Sequence, residues 1–255
     1  MKAGKVEVTD GELYYRQQGE GRPLILIHSL GLSSELWLPV LEPLSDKFSV
    51  YAVDLMGHGD SDKPDLNYEV IDHARCLTEF MDVLQMDRAA IIGSSIGAMI
   101  SVDLSVYFPA RVEKQVLVAC PIFSSRWKSL EDLMWLASRY DPEGNPLPQN
   151  IEQMRFIYAR PTQEITDWTN RLKSKAGKWC KKDQIAVTLW ETSKKLDQID
   201  CPTLVVYGTQ DALIANEKVL LDGIKQVESV RIEGVSHFPQ KEDPEAFVDS
   251  VLGFL

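Results

Sequence analysis

Ser95, Asp211 and His237 are the three residues whose types and chain order could do chemistry, and that chemistry would be acyl transfer. Gly93-Ser94-Ser95-Ile96-Gly97 lies between an apolar β-branched run and a second apolar run. A strand that turns into a helix within a few residues presses its backbone against its own neighbours, so flanking positions without a Cβ suit it. G-x-S-x-G with Ser95 at its centre is the pattern of a nucleophile held on such an elbow, and Ser94 falls on the strand side. A serine hydroxyl is a poor nucleophile until a base takes its proton and a third group fixes the tautomer of that base. Of the four histidines, His237 in "EGVSHFPQKEDP" follows the last strand-like run, where a loop at the sheet's carboxyl edge can reach the elbow. Asp211 in "LVVYGTQDALI" follows the run before it, and no carboxylate follows the run ending at Cys120 to compete. An aspartate there also suits a turn or helix cap, but the order Ser, Asp, His is that of a triad on an α/β sheet. The other histidines are expected to be structural, His58 beside turn glycines and His73 on the solvent face of a helix.

These side chains must be positioned by a sheet. "VEVT" and "LYYRQQ", split by Asp10-Gly11, predict a hairpin. "LILIH", "FSVYAVD", "AAIIGS" and "KQVLVAC" are continuous apolar runs, as expected of strands covered on both faces, and "PTLVVYG" and "ESVRIEG" resume the series after residue 200. Helix-like stretches at 71–84 and 96–108 alternate with them, and Asp243-Pro244 opens a last helix as N-cap and first helical residue. The alternation predicts an α/β fold, a mostly parallel, doubly wound, eight-stranded sheet built from residues 1–120 and 200–255. Between them, 121–199 carries no comparable run and reads as an inserted helical cap. It holds Trp127, Trp135, Trp168, Trp179 and Trp190, which are expected mainly to glue cap helices to the sheet rather than to line a pocket.

Composition narrows the partners. A net charge of -11 disfavours nucleic acid or anionic lipid, and no apolar run is long enough to span a membrane. Residues 121–199 depart from this, with 13 Lys/Arg against 10 Asp/Glu. Their run "RLKSKAGKWCKK" (171–182) is expected to be a solvated helix face, with steering of an anionic substrate as the alternative. The polar N-terminal stretch has no signal-like h-region, which predicts a cytoplasmic protein. The four scattered cysteines lack metal or redox spacing and are expected to be buried thiols. Neither a metal nor an organic cofactor is expected, and the oligomeric state is left open.

"LILIHSLGLSSELW", "DLMGHGDSDKP", "GSSIG", "YGTQD" and "SHFPQKEDPEAF" together resemble the α/β-hydrolase family over nearly the whole chain. The resemblance implies that the backbone N–H groups of Leu30 and Ile96 form an oxyanion hole, and that Asp54, Gly57, Gly59 and Ser61 form a scaffolding turn. Ser29 stands where that family usually has glycine. The Ser29-Leu30-Gly31 turn is similar to the enol-lactonase branch, whose substrates are acidic lactones. The expected activity is serine-dependent hydrolysis of a small, possibly anionic, ester or lactone. Carbon–carbon bond hydrolysis of ring-cleavage products, cofactor-free perhydrolysis, or ligand reception with little turnover are the alternatives on the same scaffold. Ser29, Arg126 and Phe238 are the candidate substrate contacts.

Overall fold

Leu24, Ile25, Leu26 and Ile27 are all fully buried, as continuous apolar runs on a strand covered on both faces must be, and each contributes about 1.5–3 kcal/mol by leaving water. They form β3 (Pro23–Ile27) in the computed structural model, which describes residues 1–122, 134, 138–191 and 195–255. The other strands are β1 (Lys2–Val8), β2 (Gly11–Gln18), β4 (Ser49–Val53), β5 (Ala89–Ser94), β6 (Val112–Val118), β7 (Thr203–Gly208) and β8 (Val227–Ile232). They make one eight-stranded sheet in the order β1-β2-β4-β3-β5-β6-β7-β8. The hairpin β1–β2 and the β2–β4 pair are antiparallel, and every other pairing is parallel.

The main helices flanking the sheet are α1 (Leu38–Ser45), α2 (Val70–Val83) and α3 (Ile96–Tyr107). From β3 the chain passes through α1 to β4 on one side, then returns through α2 to β5 on the other. Right-handed crossovers in opposite directions put α1 on one face of the sheet and α2 and α3 on the other. The reversal leaves a crevice beyond the carboxyl ends of β3 and β5, which pair side by side from Leu24↔Ala90 to Ile27↔Gly93. Such switch points are where open α/β sheets hold ligands, and the His28–Gly31 loop and Ser95 lie there.

Between β6 and β7 the described residues contain no strand, only an isolated bridge, Tyr140↔Pro146. The segment carries α4 (Gln163–Ala176) and α5 (Trp179–Leu189). The basic run lies along these helices, and its face is solvated as expected at Arg171, Lys175 and Lys178, which are exposed; several of its cations also reach acids across the fold. Arg171 pairs with Glu35 at 2.6 Å, Lys175 with Asp60 at 2.6 Å and Lys182 with Asp65 at 2.9 Å, so three of its cations pin the inserted segment to acids of the sheet unit. Trp168 Nε1 donates to Glu35, Trp179 Nε1 to the Pro64 carbonyl and Trp190 Nε1 to Asp103. Trp127 and Trp135, like Arg126, lie outside the described residues.

The helix α6 (Asn216–Gly223) precedes β8, and α7 (Pro244–Leu252) follows it and packs against α1. As the sequence predicts, the Asp243 side chain caps α7, accepting from the Ala246 N–H at 3.1 Å. No helix among the described residues is long and apolar enough to cross a membrane.

Candidate active site

Ser95 is the single residue between β5 and α3, and it makes the turn with φ 57° and ψ -115°. That conformation is costly for a residue with a side chain, on the order of 1–3 kcal/mol. The surroundings hold it: Ser95 N–H donates to the Val118 carbonyl at 2.9 Å. A Cβ on Gly93 would run into the Gly97 carbonyl oxygen, and one on Gly97 into the Ile27 carbonyl oxygen. The two glycines therefore let strand, elbow and helix close on one another.

Asp211 and His237 arrive on adjacent loops after β7 and β8. A Cβ on Gly208 would strike the backbone carbonyls of Val235 and Ser236, so glycine permits these loops to touch. Gln210 N–H donates to the Val235 carbonyl at 2.9 Å, fixing the junction. The buried Asp211 carboxylate lies 3.2 and 3.3 Å from His237 Nδ1 and also accepts from the Leu213 N–H at 2.9 Å. One carboxylate thus contacts the imidazole and caps its own turn. An Nδ1–H donating to Asp211 leaves Nε2 as the basic nitrogen.

Ser95, Asp211 and His237 all line one cavity of about 950 Å³. Among the described residues no direct hydrogen bond joins the Ser95 hydroxyl to the imidazole, although both line the cavity; such contacts commonly tighten only around bound substrate. Leu30 is on the cavity wall and Ile96 opens α3. Neither backbone N–H has an acceptor among the described residues, which is the condition of an oxyanion donor pair at a helix N-terminus.

Ser29 also reaches the wall, but its hydroxyl is engaged by Ser94, at 3.0 Å from the Ser94 hydroxyl and 3.2 Å from its carbonyl. Gln240 Nε2 donates to the same Ser94 hydroxyl at 3.1 Å. Ser94 is fully buried and works behind the elbow, joining β5 to the His28–Gly31 loop. Phe238 lines the cavity and sets its ring edge-on to His237, with centroids 5.0 Å apart.

Below the loop lies a cluster that sequence reasoning missed. His28, His58, His73 and Asp183 are all fully buried, so the expected solvent-facing His73 is corrected: its Nε2 is 3.1 Å from Asp183 on α5. The amphipathic pattern of α2 was visible, but its inward partner comes from a segment 110 residues away. Gly31 N–H donates to His58 Nε2 at 3.1 Å, and Leu55 N–H to His28 Nε2 at 2.9 Å. Both Nε2 atoms are therefore acceptors, and His28 Nδ1–H donates to the Ser29 carbonyl at 2.8 Å. Burial pushes both imidazoles down to about 4, which keeps them neutral. The scaffolding turn does what the resemblance implies, with Asp54 accepting from Ser34 and Asp60 N–H groups at 2.6 and 2.7 Å.

Glu242 was also missed. Its carboxylate accepts from the N–H groups of Ala159 and Ser236 at 2.7 and 2.8 Å, clasping the inserted segment to the residue before His237. Thiol chemistry finds no support: burial pushes Cys76 up to about 11 and Cys180 up to about 12, and a neutral thiol is a weak nucleophile. No cluster of three metal-ligating side chains occurs among the described residues.

An alpha/beta hydrolase family model matches residues 24–250. The chain belongs to that family. A 2-hydroxy-6-oxo-6-(2'-aminophenyl)hexa-2,4-dienoic acid hydrolase of Metapseudomonas resinovorans is 26% identical over 273 residues, covering 100% of this chain and 89% of that protein. Among solved structures, Est816, described as an N-acyl homoserine lactone degrading enzyme, superposes with a TM-score of 0.78 at 26% identity, over 99% of this chain and 100% of that one. The enol-lactonase of Burkholderia xenovorans LB400 superposes with a TM-score of 0.83 at 24% identity, over 98% and 99% of the two chains. This alpha/beta hydrolase thus shares its fold with an enol-lactonase and an N-acyl homoserine lactone degrading enzyme, and about a quarter of its aligned residues with a dienoic acid hydrolase.

Proposed function

We propose that this alpha/beta hydrolase cleaves a small carboxylic ester or lactone through an acyl-enzyme on Ser95. The observation that carries the reading is Ser95 on a φ 57° elbow, facing the same cavity as an imidazole whose Nδ1 is 3.2 Å from a buried carboxylate. Ser95 Oγ attacks the carbonyl carbon and its proton passes to His237 Nε2. The oxyanion takes hydrogen bonds from the Leu30 and Ile96 N–H groups. Collapse breaks the acyl–oxygen bond, and the leaving alkoxide takes the proton from His237. Water, deprotonated by the same imidazole, then releases the acid and frees Ser95. The scheme requires no metal or organic cofactor. Residues 121–199 act as a cap that selects the substrate, and the four free thiols support a reducing, cytoplasmic setting.

A fluorophosphonate probe tests the nucleophile. Labelling of Ser95, with rapid turnover of a p-nitrophenyl ester, is the expected result; labelling with negligible turnover supports a receptor, and no labelling of Ser95 removes the reading. Carbon–carbon bond cleavage is the second reading, favoured by the relative that matches the whole chain. Comparing kcat/KM on aromatic esters, acidic lactones and ring-cleavage dienoates separates the two.

Ser94→Ala is expected to retain activity within about tenfold, because Ser94 does not line the cavity. It should nevertheless cost about 1–3 kcal/mol in urea unfolding, since the buried Ser29 and Gln240 lose a partner.

A further inference from the structure

One cation of the basic run differs from its neighbours. Among the described cations of 171–182, Lys173 on α4 alone lines the cavity, together with Arg139 from outside the run; no described carboxylate lies within ion-pair range of Lys173, nor of Lys178 and Lys181 away from the cavity, whereas Arg171, Lys175 and Lys182 each have one. Lys173 Nζ donates to Gln149 Oε1 at 2.5 Å. Gln149 is itself pinned by Asn170, whose side chain accepts from its N–H at 2.9 Å and donates to its carbonyl at 2.8 Å. The lysine stem packs on the oxyanion loop: a Cβ on Gly31 would come within 2.9 Å of Lys173 Cγ. Arg139 is anchored by a turn in which Leu147 N–H donates to its carbonyl at 2.9 Å and Tyr140 bridges Pro146.

We propose that Lys173, with Arg139 beside it, is the subsite for a carboxylate carried by the substrate, which makes the preferred substrates half-esters or carboxylated lactones whose charge lies a few atoms from the scissile carbonyl. This rests on the hydrolase reading above and narrows it to a substrate class. Lys173 is half-buried, and a positive charge partly withdrawn from water without a counter-charge is unfavourable; a bound carboxylate supplies that counter-charge. The net charge of -11 repels anions at long range, so an anionic substrate needs a local cationic pocket of this kind. Burial, and then repulsion from Arg139, push the Lys173 ammonium down to about 8. The Cys180 thiol packed against it, itself pushed up to about 12, stays neutral over the same range, and Gln149 does not titrate. Lys173 is therefore charged at neutrality and loses its charge as the pH rises through about 8, so carboxylate affinity should fall above that pH.

The test compares p-nitrophenyl monoglutarate with the neutral p-nitrophenyl valerate in wild type, Lys173→Met and Lys173→Arg. The wild type is expected to favour the anionic ester. Lys173→Met should lower the anionic-to-neutral ratio of kcat/KM by roughly 30-fold, mainly through KM, about the contribution of one charge-assisted hydrogen bond, and Lys173→Arg should restore most of it. A ratio that survives Lys173→Met, or a wild type that prefers the neutral ester, overturns the proposal. Calorimetry of glutarate with the wild type provides a readout that needs no turnover and no variant. Binding that weakens between pH 7 and 9, and that inorganic phosphate does not match, supports a carboxylate subsite; no binding, or equal binding of phosphate, rejects it. Loss of glutarate binding in Lys173→Met beside a wild type that hydrolyses nothing would remove the hydrolase reading and leave the subsite standing. Turnover without charge preference or glutarate binding would do the reverse.

Discussion

Ser95→Ala and His237→Ala are each expected to lower kcat on a p-nitrophenyl ester by on the order of 10⁴–10⁶-fold, and the double variant should be little worse than either single one. The reason is mechanical. Without the hydroxyl the imidazole has no proton to take, and without the imidazole the hydroxyl is not activated, so the second deletion removes nothing that still operates. Asp211 lies 3.2 Å from His237 Nδ1, and on the proposed mechanism Asp211→Asn should cost about 10⁴ by stabilising the wrong tautomer. What remains in all of these variants is the contribution of the Leu30 and Ile96 N–H groups and of substrate binding. Losses that multiply in the double variant, or an active Ser95→Ala protein beside an inactive Ser94→Ala one, would overturn the assignment.

The second large effect concerns stability. His28 and His58 have folded-state values of about 4 against an ordinary 6.5. Below pH 6.5 the unfolded chain binds protons that the folded protein refuses, so stability falls as the pH drops and levels off below about 4. Each imidazole accounts for about 3 kcal/mol across that window, on the order of 6 kcal/mol together. Asp54, which burial holds above the usual carboxylate range, works in the opposite sense. Urea midpoints between pH 8 and pH 4 measure the sum. His58→Gln, whose amide can still accept from Gly31 N–H and donate to the Met56 carbonyl, isolates one imidazole and should flatten the dependence by about half. A midpoint unchanged between pH 7 and 5 would contradict neutral buried imidazoles.

The sheet was legible because its signal is local: eight apolar or alternating runs stand where β1 to β8 stand, and their alternation with helices implies parallel pairing. The elbow was legible for the same reason, since Gly93 and Gly97 answer close approaches that arise within a few residues of Ser95. What escaped the sequence depends on distant partners. His73 faces inward because Asp183 on α5 meets it, and Arg171, Lys175 and Lys182 are clamps because Glu35, Asp60 and Asp65 lie beneath them. Charge patterning along one helix cannot reveal a counter-ion more than 100 residues away. Lys173 was hidden inside the same run, distinguished only by which way its turn of α4 faces.

Glu242 gives the fold a joint with a practical consequence. Because one carboxylate grips Ala159 and Ser236 at once, a shift of the segment between β6 and β7 pulls on the loop that carries His237. Chimeras that exchange residues 121–199 among relatives should therefore keep an acceptor at position 242, or the transplanted segment and the His237 loop will lose their common anchor.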